Sequence, residues 1–203
     1  MAPTAAPTAL PTAKPTGPGA ILFSDTFADI THPKFPLSST DSLRSQGYIN
    51  GQYEIINGDQ TGNGTSVAVP GTYSDDTIAI DVHAAGGPAE AGPYVSCRRN
   101  STATPVQGYQ FQVQPNSGQF SLYRYEPSGQ PTLLLRQASS AINTGDVVNH
   151  LELTCAATTI TLGVNGVPVG SVQDATYSSG QHRFGIIGGG AKADFTNLVV
   201  TQR

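Results

Sequence analysis

The stretch of residues 145–172, GDVVNHLELTCAATTITLGVNGVPVGSV, constrains the fold of this chain more than any other part of it. Its apolar residues Leu151, Leu153 and Cys155 alternate with polar ones, the period of a strand that buries one face. The alternation resumes at residues 160–164 and is followed at once by Asn165-Gly166, a dipeptide that tolerates the two positive φ angles of a type I′ turn. We therefore predict a β-hairpin here.

The predicted register of this hairpin agrees with its apolar pattern. A two-residue loop makes Val164 face Val167 and Leu162 face Val169, so both strands send aliphatic side chains to one side. An even-length loop at Ala156-Ala157 keeps the preceding strand in the same phase. The result is a three-stranded meander whose apolar face must be covered by a second layer.

The rest of the chain has the composition of an all-β domain. It has 203 residues with 23 Gly and 15 Pro, and a charged fraction of 12%, which favours many short strands joined by turns. Residues 28–45 and 57–65 are expected to be surface loops. About a dozen strands at short spacing predict a two-sheet antiparallel β-sandwich, or jelly roll. Outside the meander these strands are predicted at residues 21–27, 47–56, 77–83, 94–99, 108–114, 119–126, 133–136, 183–187 and 194–201.

The first twenty residues are predicted to be a linker, with the sandwich domain at residues 21–203. Residues 2–17 read APTA, APTA, LPTA, KPTG, and such Pro-rich repeats favour extended polyproline II and build no core. Pro/Thr tracts of this kind tether exported domains to an anchor or a neighbouring domain, and their threonines can carry O-linked sugars. A plain unmodified spacer is the alternative.

Charge and hydropathy exclude two classes of partner. The net charge is −4 and the ten basic residues are scattered, so nucleic acid is not an expected ligand. No run of 18 apolar residues is present, so we expect no membrane insertion within this sequence. It also lacks a basic segment followed by an apolar one, so any export signal is expected to lie outside it.

A series of segments resembles one superfamily. VSCRRN, GYQFQV, GQFSLYRY, the NG hairpin with the positions of Cys97 and Cys155, and the closing ADFTNLVV are similar to the concanavalin A-like lectin/glucanase superfamily. The likeness spans about residues 21–203 and is strongest to bacterial domains of surface lipoproteins and of the extracellular sensor regions of membrane serine/threonine kinases. It implies a two-sheet jelly roll at the cell surface or outside the cell; members range from lectins to glycosidases.

The resemblance also bears on the two cysteines, Cys97 and Cys155. Both have the apolar-facing parity of their predicted strands, and the resemblance implies that these strands meet inside the sandwich. We predict a disulfide, which an exported protein would retain. Two buried free thiols are the alternative.

The catalytic signature of the superfamily's glucanases is missing. They carry closely spaced acidic residues on one strand, in an E-x-D-x-x-E or E-x-D-x-E pattern, and here the fourteen acidic residues are dispersed. Asp75 and Asp76 are adjacent but are expected to diverge in a turn. We therefore predict no catalytic residue. A carboxylate pair assembled from different strands is the alternative.

The histidines and the triple glycine are given structural roles. The histidines show no metal-ligand spacing, and each is expected at a solvated position. The Gly run at residues 188–190 lacks the Lys-Ser/Thr of a phosphate-binding loop and is expected to be a turn. The four histidines are His32, His83, His150 and His182.

Structural calcium is weighed because relatives in the superfamily bind it near the first and last strands. Asp25 and Asp194 lie at comparable places in this sequence. Calcium needs six to eight oxygen ligands, and only these two can be named. Two solvated edge carboxylates are the alternative.

One strand face is the candidate ligand-binding surface. By parity, five polar or aromatic residues point away from the side that carries Cys97, Phe111 and Leu122, and they suit hydrogen bonding and stacking against a sugar or a peptide. An ordinary polar outer face is the alternative, and the absence of Trp argues against a sugar platform. The five residues are Arg98, Gln110, Gln112, Tyr123 and Tyr125.

These observations predict a non-catalytic extracellular binding or sensor module on a Pro/Thr stalk, with carbohydrate or another cell-surface ligand. The alternatives are a glycoside hydrolase-like enzyme of the same fold, and a structural surface protein that self-associates through docking of its Pro/Thr tail on a neighbouring copy.

Overall fold

The computed structural model describes residues 17–61, 63–100 and 102–203, and within them the protein has no helix. Most of the predicted Pro/Thr linker, residues 1–16, therefore lies outside the described residues. The strands are β1 (Ile21–Asp25), β2 (Ser38–Thr40), β3 (Arg44–Ile49), β4 (Gln52–Asn57), β5 (Gly64–Ala68), β6 (Asp76–Gly86), β7 (Gly92–Asn100), β8 (Gln107–Gln114), β9 (Gln119–Tyr125), β10 (Pro131–Ala138), β11 (Val148–Ala156), β12 (Thr159–Val164), β13 (Val167–Gln173), β14 (Gln181–Ile187) and β15 (Ala191–Gln202).

The strands form two antiparallel sheets. The large sheet has nine strands in the order β13-β12-β11-β6-β15-β4-β3-β2, with β1 also paired to β15. The small sheet has six strands in the order β10-β9-β8-β7-β14-β5. The two sheets pack face to face over one core, which confirms the predicted β-sandwich.

The core between the sheets is built from the inward-facing residue of each alternating pair. Ile78, Ile80 and Val82 of β6 are buried, as their parity predicts. The ring of Phe184 on β14 contacts several aromatic rings. One of them is that of Phe195 on β15 of the large sheet, at a centroid distance of 5.0 Å. Because Phe184 is held inside, its neighbours on β14 must face outward, and this places part of the site described below.

The predicted disulfide between Cys97 and Cys155 is present. Cys97 lies on β7 of the small sheet and Cys155 on β11 of the large sheet, and both are fully buried. Their Cα atoms are 6.7 Å apart. The bond therefore fastens the two layers to each other through the core.

The meander has the predicted order, with two local corrections. Val164 pairs with Val167 as predicted, but Leu162 pairs with Gly170 and not with Val169, because a bulge shifts the register at this point. The two-residue loop between β11 and β12 is 157–158 and not 156–157, since Ala156 pairs with residue 159. Cys155 nevertheless keeps its predicted side, because both loops have an even length.

Two regions hold more strands than predicted. The segment 47–56 is a hairpin, β3 and β4, that reverses at Asn50-Gly51 with φ of 51° and 79°. This is the same dipeptide that closes the predicted hairpin at Asn165-Gly166. The expected loops at 28–45 and 57–65 contain β2, the start of β3 and the start of β5.

No helix in the described part of the chain has the length and apolar character needed to cross a membrane.

Candidate functional site

A cavity of about 620 Å³ opens on the outer face of the small sheet, the face turned away from the core. Its volume is in the range of ordinary ligand sites. The walls come from β5, β14, β7, β8 and β9 of the small sheet, from the start of β3 of the large sheet and from loops beside them. The lining residues that the structure describes are Arg44, Asn63, Gly64, Ser66, Tyr94, Arg99, Pro105, Val106, Gln110, Tyr125, Gly129, Arg183 and Ile187.

A glycine of β14, Gly185, lies on the same side of the small sheet as the cavity. Because Phe184 and Ile186 of β14 are buried in the core, Arg183 and Gly185 face the cavity side. Gly185 pairs with Ser66 of β5, and a Cβ atom at Gly185 would lie 2.2 Å from the carbonyl oxygen of residue 65. A side chain there would force β5 away from β14, so the glycine keeps the sheet closed and the surface above it open.

A bulge on β7 decides which arginine enters the cavity. The register of β7 with β8 shifts between Cys97 and Asn100, and Arg98 has a φ of 52°. This left-handed residue reverses the alternation of inward and outward positions. Arg99, and not Arg98, therefore reaches the outer face.

Arg98 points instead toward the edge of the large sheet. It is 2% exposed and donates from Nη1 to the carbonyls of Ala157 and Tyr177, both at 2.8 Å. Nε and Nη2 donate to the carbonyl of Ser74 at 3.2 Å and 3.0 Å. The parity argument that placed Arg98 on the ligand face was wrong at this position, because it assumed an unbroken strand. Arg98 has a structural role.

Arg99 is the buried arginine of the cavity lining. Its side chain passes over Gly108, where a Cβ atom would lie 2.8 Å from Arg99 Cδ, and its guanidinium lies 4.6 Å from the ring centroid of Tyr125. This is the geometry of a cation–π contact. Arg99 is 8% exposed, and its Nε and Nη1 atoms are buried without a hydrogen-bond partner among the described residues.

The charge of Arg99 is poorly compensated. Burial lowers the pKa of Arg99, and the positive charge of Arg183 lowers it further, against a partly opposing effect of Tyr94 and Tyr125. In the described part of the chain no carboxylate forms an ion pair with Arg99 or with Arg183. The guanidinium thus lies in a setting that favours the approach of an anion or a strong acceptor.

The two other arginines border the same space. Arg183 donates from Nε to the hydroxyl of Ser66 at 2.9 Å and from Nη2 to the Ser66 carbonyl at 3.1 Å. Arg44 forms an ion pair with Asp59. Hydrogen bonds from the Thr61 hydroxyl and amide, more than the charge of Arg44, lower the pKa of Asp59 to about 2, so this carboxylate is charged and holds Arg44 at the rim.

The other predicted ligand residues have different positions. Gln110 and Tyr125 line the cavity, and the buried Nε2 of Gln110 has no hydrogen-bond partner in the described structure. Gln112 lies outside the lining and donates to the carbonyl of Glu90 at 2.8 Å. Tyr123 also lies outside it, and its hydroxyl accepts a hydrogen bond of 2.5 Å from Arg136.

Sequence reasoning did not identify the arginines that line the cavity. Arg99 follows Arg98 directly, and only the bulge distinguishes the two, for which the sequence has no clear signal. Arg183 is brought beside Arg99 by the pairing of β14 with β7, and Arg44 comes from β3 of the other sheet. Tyr94 alone had a usable signal, because it shares the outward parity of its strand.

The described lining consists of arginine, glutamine, asparagine, serine and tyrosine beside apolar residues. None of the described lining residues is Asp, Glu or His. A hydrolase of this fold needs a pair of carboxylates across the scissile bond, one of them able to donate a proton. Guanidinium, amide and hydroxyl groups beside aromatic rings instead offer hydrogen bonds and stacking.

The histidines lie away from the cavity. His182 was expected to be solvated, and this was wrong: it is fully buried, its Nε2 is 2.6 Å from Asp76, and its ring lies 4.5 Å from that of Tyr73. The neighbouring Asp75 diverges from Asp76 and accepts a hydrogen bond from the amide of Ala157 at 2.6 Å. His182 on β14 and Asp76 on β6 thus form a buried structural pair between the two sheets.

Asp25 and Asp194 do not converge on one site. Asp25 accepts hydrogen bonds from the amide of Phe27 at 2.7 Å and from the Tyr48 hydroxyl at 3.2 Å. Asp194 lies beside Lys192 at 3.5 Å, and Asp25 pairs with residue 198 of β15, four positions farther along the strand. Within the described ranges no group of three or more His, Cys, Asp or Glu side chains could hold a metal ion. These two residues do not fit a shared calcium site.

Comparison with known sequences identifies one family. A family model described as 3-keto-alpha-glucoside-1,2-lyase-like domain matches residues 38–201. No curated protein matches the chain by sequence.

Comparison with solved structures supports the concanavalin A-like fold. A protein of unknown function with a galectin-like fold from Bacillus subtilis aligns with a TM-score of 0.71 at 12% identity, covering 92% of this chain and 97% of that one. The carbohydrate binding module CBM66 from Bacillus subtilis aligns at 0.55 and 18% identity, covering 81% and 91%. The catalytic domain of an endo-1,3-beta-glucanase (laminarinase) from Thermotoga petrophila aligns at 0.63 and 10% identity, covering 91% and 98%.

Proposed function

This chain belongs to the family of 3-keto-alpha-glucoside-1,2-lyase-like domains, and from that premise we propose that it binds carbohydrate without transforming it, in the cavity on the small sheet. The single observation that carries the proposal is the make-up of the lining. Arginine, glutamine and tyrosine side chains surround a ligand-sized space that includes no described carboxylate or imidazole. Structural neighbours that include a carbohydrate binding module and a glucanase support sugar as the ligand class.

The side chains of the lining suit a sugar ring. Tyr125 offers an aromatic face to the C–H side of a pyranose, and burial raises the pKa of its hydroxyl, so the group stays neutral. Gln110 has a buried amide nitrogen that makes no hydrogen bond of good geometry and lies close to the side chain of Tyr125. A sugar hydroxyl can accept a hydrogen bond from this donor.

The test is binding of the full chain to a glycan array, followed by calorimetry of the glycans that bind. Tyr125→Ala should weaken binding about tenfold or more, since a stacked ring contributes on the order of 1 to 3 kcal/mol. Tyr123→Ala is the matched control, because Tyr123 lies on the same strand outside the lining and should leave the affinity within about twofold. Failure of every glycan to bind, or equal losses in both variants, would contradict the proposal.

A second candidate function is lyase activity, favoured by the family description alone. Elimination across C1 and C2 of a 3-keto-glucoside requires a base that removes the proton from C2, next to the ketone. Among the described lining residues, Tyr94 and Tyr125 are the ones that carry a phenolic oxygen, the group that would have to accept this proton. Incubation with a 3-keto-alpha-glucoside and detection of the released aglycone tests it directly; release by the wild type but not by a Tyr94→Phe, Tyr125→Phe double variant would establish the enzyme and overturn the binding proposal.

The cellular location of the domain is proposed from its disulfide. We propose that it functions outside the cell or at its surface, displayed on the Pro/Thr segment, because a buried disulfide persists in an oxidising compartment. Labelling of intact cells with a membrane-impermeant reagent tests this placement. Self-association through the Pro/Thr tail is the remaining alternative, and loss of oligomers on removal of residues 1–16 would favour it.

A further inference from the structure

We propose that the ligand of the small-sheet cavity is an anionic saccharide, a glycan that carries a carboxylate or sulfate group seated against Arg99. This inference rests on the proposed carbohydrate-binding function and specifies the chemistry of the sugar. The shared feature of the two ligand types is a negative oxygen group attached to a sugar ring. Three arginines line the space; Arg44 is paired with Asp59, whereas Arg99 and Arg183 have no carboxylate partner among the described residues.

The state of Arg99 is the main argument. A guanidinium removed from water is normally held by carboxylates or carbonyls that use its donors. Arg98, the preceding residue, has this arrangement and directs its donors at three carbonyl oxygens. Arg99 is 8% exposed, yet its Nε and Nη1 atoms have no partner among the described residues. A buried charge with unused donors is incomplete until an acceptor arrives.

The neighbours of Arg99 leave room for that acceptor. Tyr125 covers one face of the guanidinium at 4.6 Å and so fixes its plane. Arg183 is held by Ser66 through Nε and Nη2, and adds a second positive charge to the same cavity. Arg44 is the one member with a carboxylate partner, Asp59. An anion between Arg99 and Arg183 would be bound by charge-assisted hydrogen bonds, which are stronger than those to a neutral hydroxyl.

The overall charge of the chain makes this local arrangement informative. The net charge is −4, and only ten basic residues serve 203 positions, so three arginines around one cavity are not a by-product of a basic surface. Aromatic rings and amides beside the arginines favour a sugar over a bare inorganic anion. The same negative net charge disfavours long polyanions such as nucleic acid, which need an extended basic surface.

The test compares matched acidic and neutral glycans by calorimetry on the full chain. Trigalacturonate is compared with its methyl ester, and a sulfated disaccharide with its desulfated form, so the two pairs separate a carboxylate from a sulfate. We expect at least one acidic form to bind about tenfold or more tightly than its neutral partner, with an affinity that falls as salt is raised. Equal affinities within both pairs would overturn the inference while leaving carbohydrate binding intact.

Variants of single arginines show which side chain binds the acidic group of the glycan. Arg99→Gln should remove most of the preference for the acidic form, and Arg183→Gln should reduce it, while Arg203→Gln should have no effect. Arg203 contacts Thr77 on the large sheet, so its loss changes net charge equally at a distant place. Circular dichroism confirms that each variant is folded. If the preference survives in both Arg99→Gln and Arg183→Gln, the inference fails; if no glycan of either kind binds, the proposed function fails with it.

Discussion

The outer faces of the two sheets differ in whether their charged side chains have partners of opposite charge. On the large sheet, charged side chains pair across neighbouring strands: His150 lies 2.6 Å from Asp81, and Lys192 lies 2.6 Å from Glu54. On the small sheet, Arg99 and Arg183 share a cavity without a carboxylate partner in the described structure. These charges of the large sheet thus have oppositely charged partners within the chain, whereas the two arginines of the small sheet have none among the described residues.

Burial makes this difference functional. The ion pairs of the large sheet are partly solvated, with the Lys192 side chain 42% exposed, so water can replace a lost partner at little cost. Gln110 and Arg99 of the small sheet are almost fully buried on a face that does not belong to the core. Polar groups removed from water without partners destabilise the folded state. That cost is typical of a binding site and not of an ordinary polar surface.

The largest expected effect concerns the bond that joins the two layers. Reduction of the Cys97–Cys155 disulfide should lower the free energy of unfolding by about 4 kcal/mol in the chain-entropy model, and the melting temperature by roughly 8 to 16 °C. The two sheets share one core, so both should unfold in a single transition before and after reduction. Thermal unfolding followed by circular dichroism and by tyrosine fluorescence, with oxidised and reduced wild type, measures this; two separate transitions would show that the faces belong to independent units.

The second largest effect on stability is expected at Arg98, the residue that precedes Arg99. Arg98→Gln should lower the free energy of unfolding by about 3 kcal/mol, because it breaks a buried network and leaves the carbonyls of Ser74, Ala157 and Tyr177 without their donor. Chemical denaturation measures the loss. A cost below about 1 kcal/mol would mean that water replaces the guanidinium, and the structural role assigned to Arg98 would be wrong.

The same type of change at Arg99 should have the opposite sign. The pKa of Arg99 is lowered in the folded state, so its charge is less favourable there than in the unfolded chain, and its loss should stabilise the fold. Arg99→Met keeps the length of the stem over Gly108 and should raise the free energy of unfolding by about 1 kcal/mol in the absence of ligand. Denaturation in parallel with glycan binding would show stability gained and affinity lost; a destabilised variant would indicate that Arg99 is already satisfied within the protein.

Much of this architecture could be predicted from sequence, because strand parity and turn chemistry are local. The inward side of β6 and the turn at Asn165-Gly166 follow from residues that are near each other in the chain. Asn50-Gly51 carries the same turn signal inside the segment predicted to be extended at 47–56, and the apolar residues on its two sides belong to the paired strands β3 and β4.

The site was only partly predictable, and the reason is physical. The outward positions of Gln110 and Tyr125 follow from the alternation of regular strands, β8 and β9. Arg99 enters the cavity in place of Arg98 because of a bulge in β7. The bulge reverses the alternation of inward and outward side chains without a change in composition. The approach of Arg183 to Arg99 depends on β14 pairing with β7, a choice of neighbour that the period of each strand does not contain.

The smallest expected effect tests the paired face of the large sheet. Asp81 on β6 lies opposite His150 on β11, with Nδ1 to Oδ1 at 2.6 Å, and its second oxygen accepts from the amide of Asn197 at 2.8 Å. A double-mutant cycle with Asp81→Asn and His150→Gln should give a coupling energy of about 0.5 kcal/mol, because ion pairs that are open to solvent are worth little. The coupling should shrink when salt is raised, and no single variant should alter glycan binding. A coupling of several kcal/mol, or a change in glycan affinity, would show that the large sheet is not the self-sufficient face and would remove the contrast on which the assignment of the ligand site to the small sheet depends.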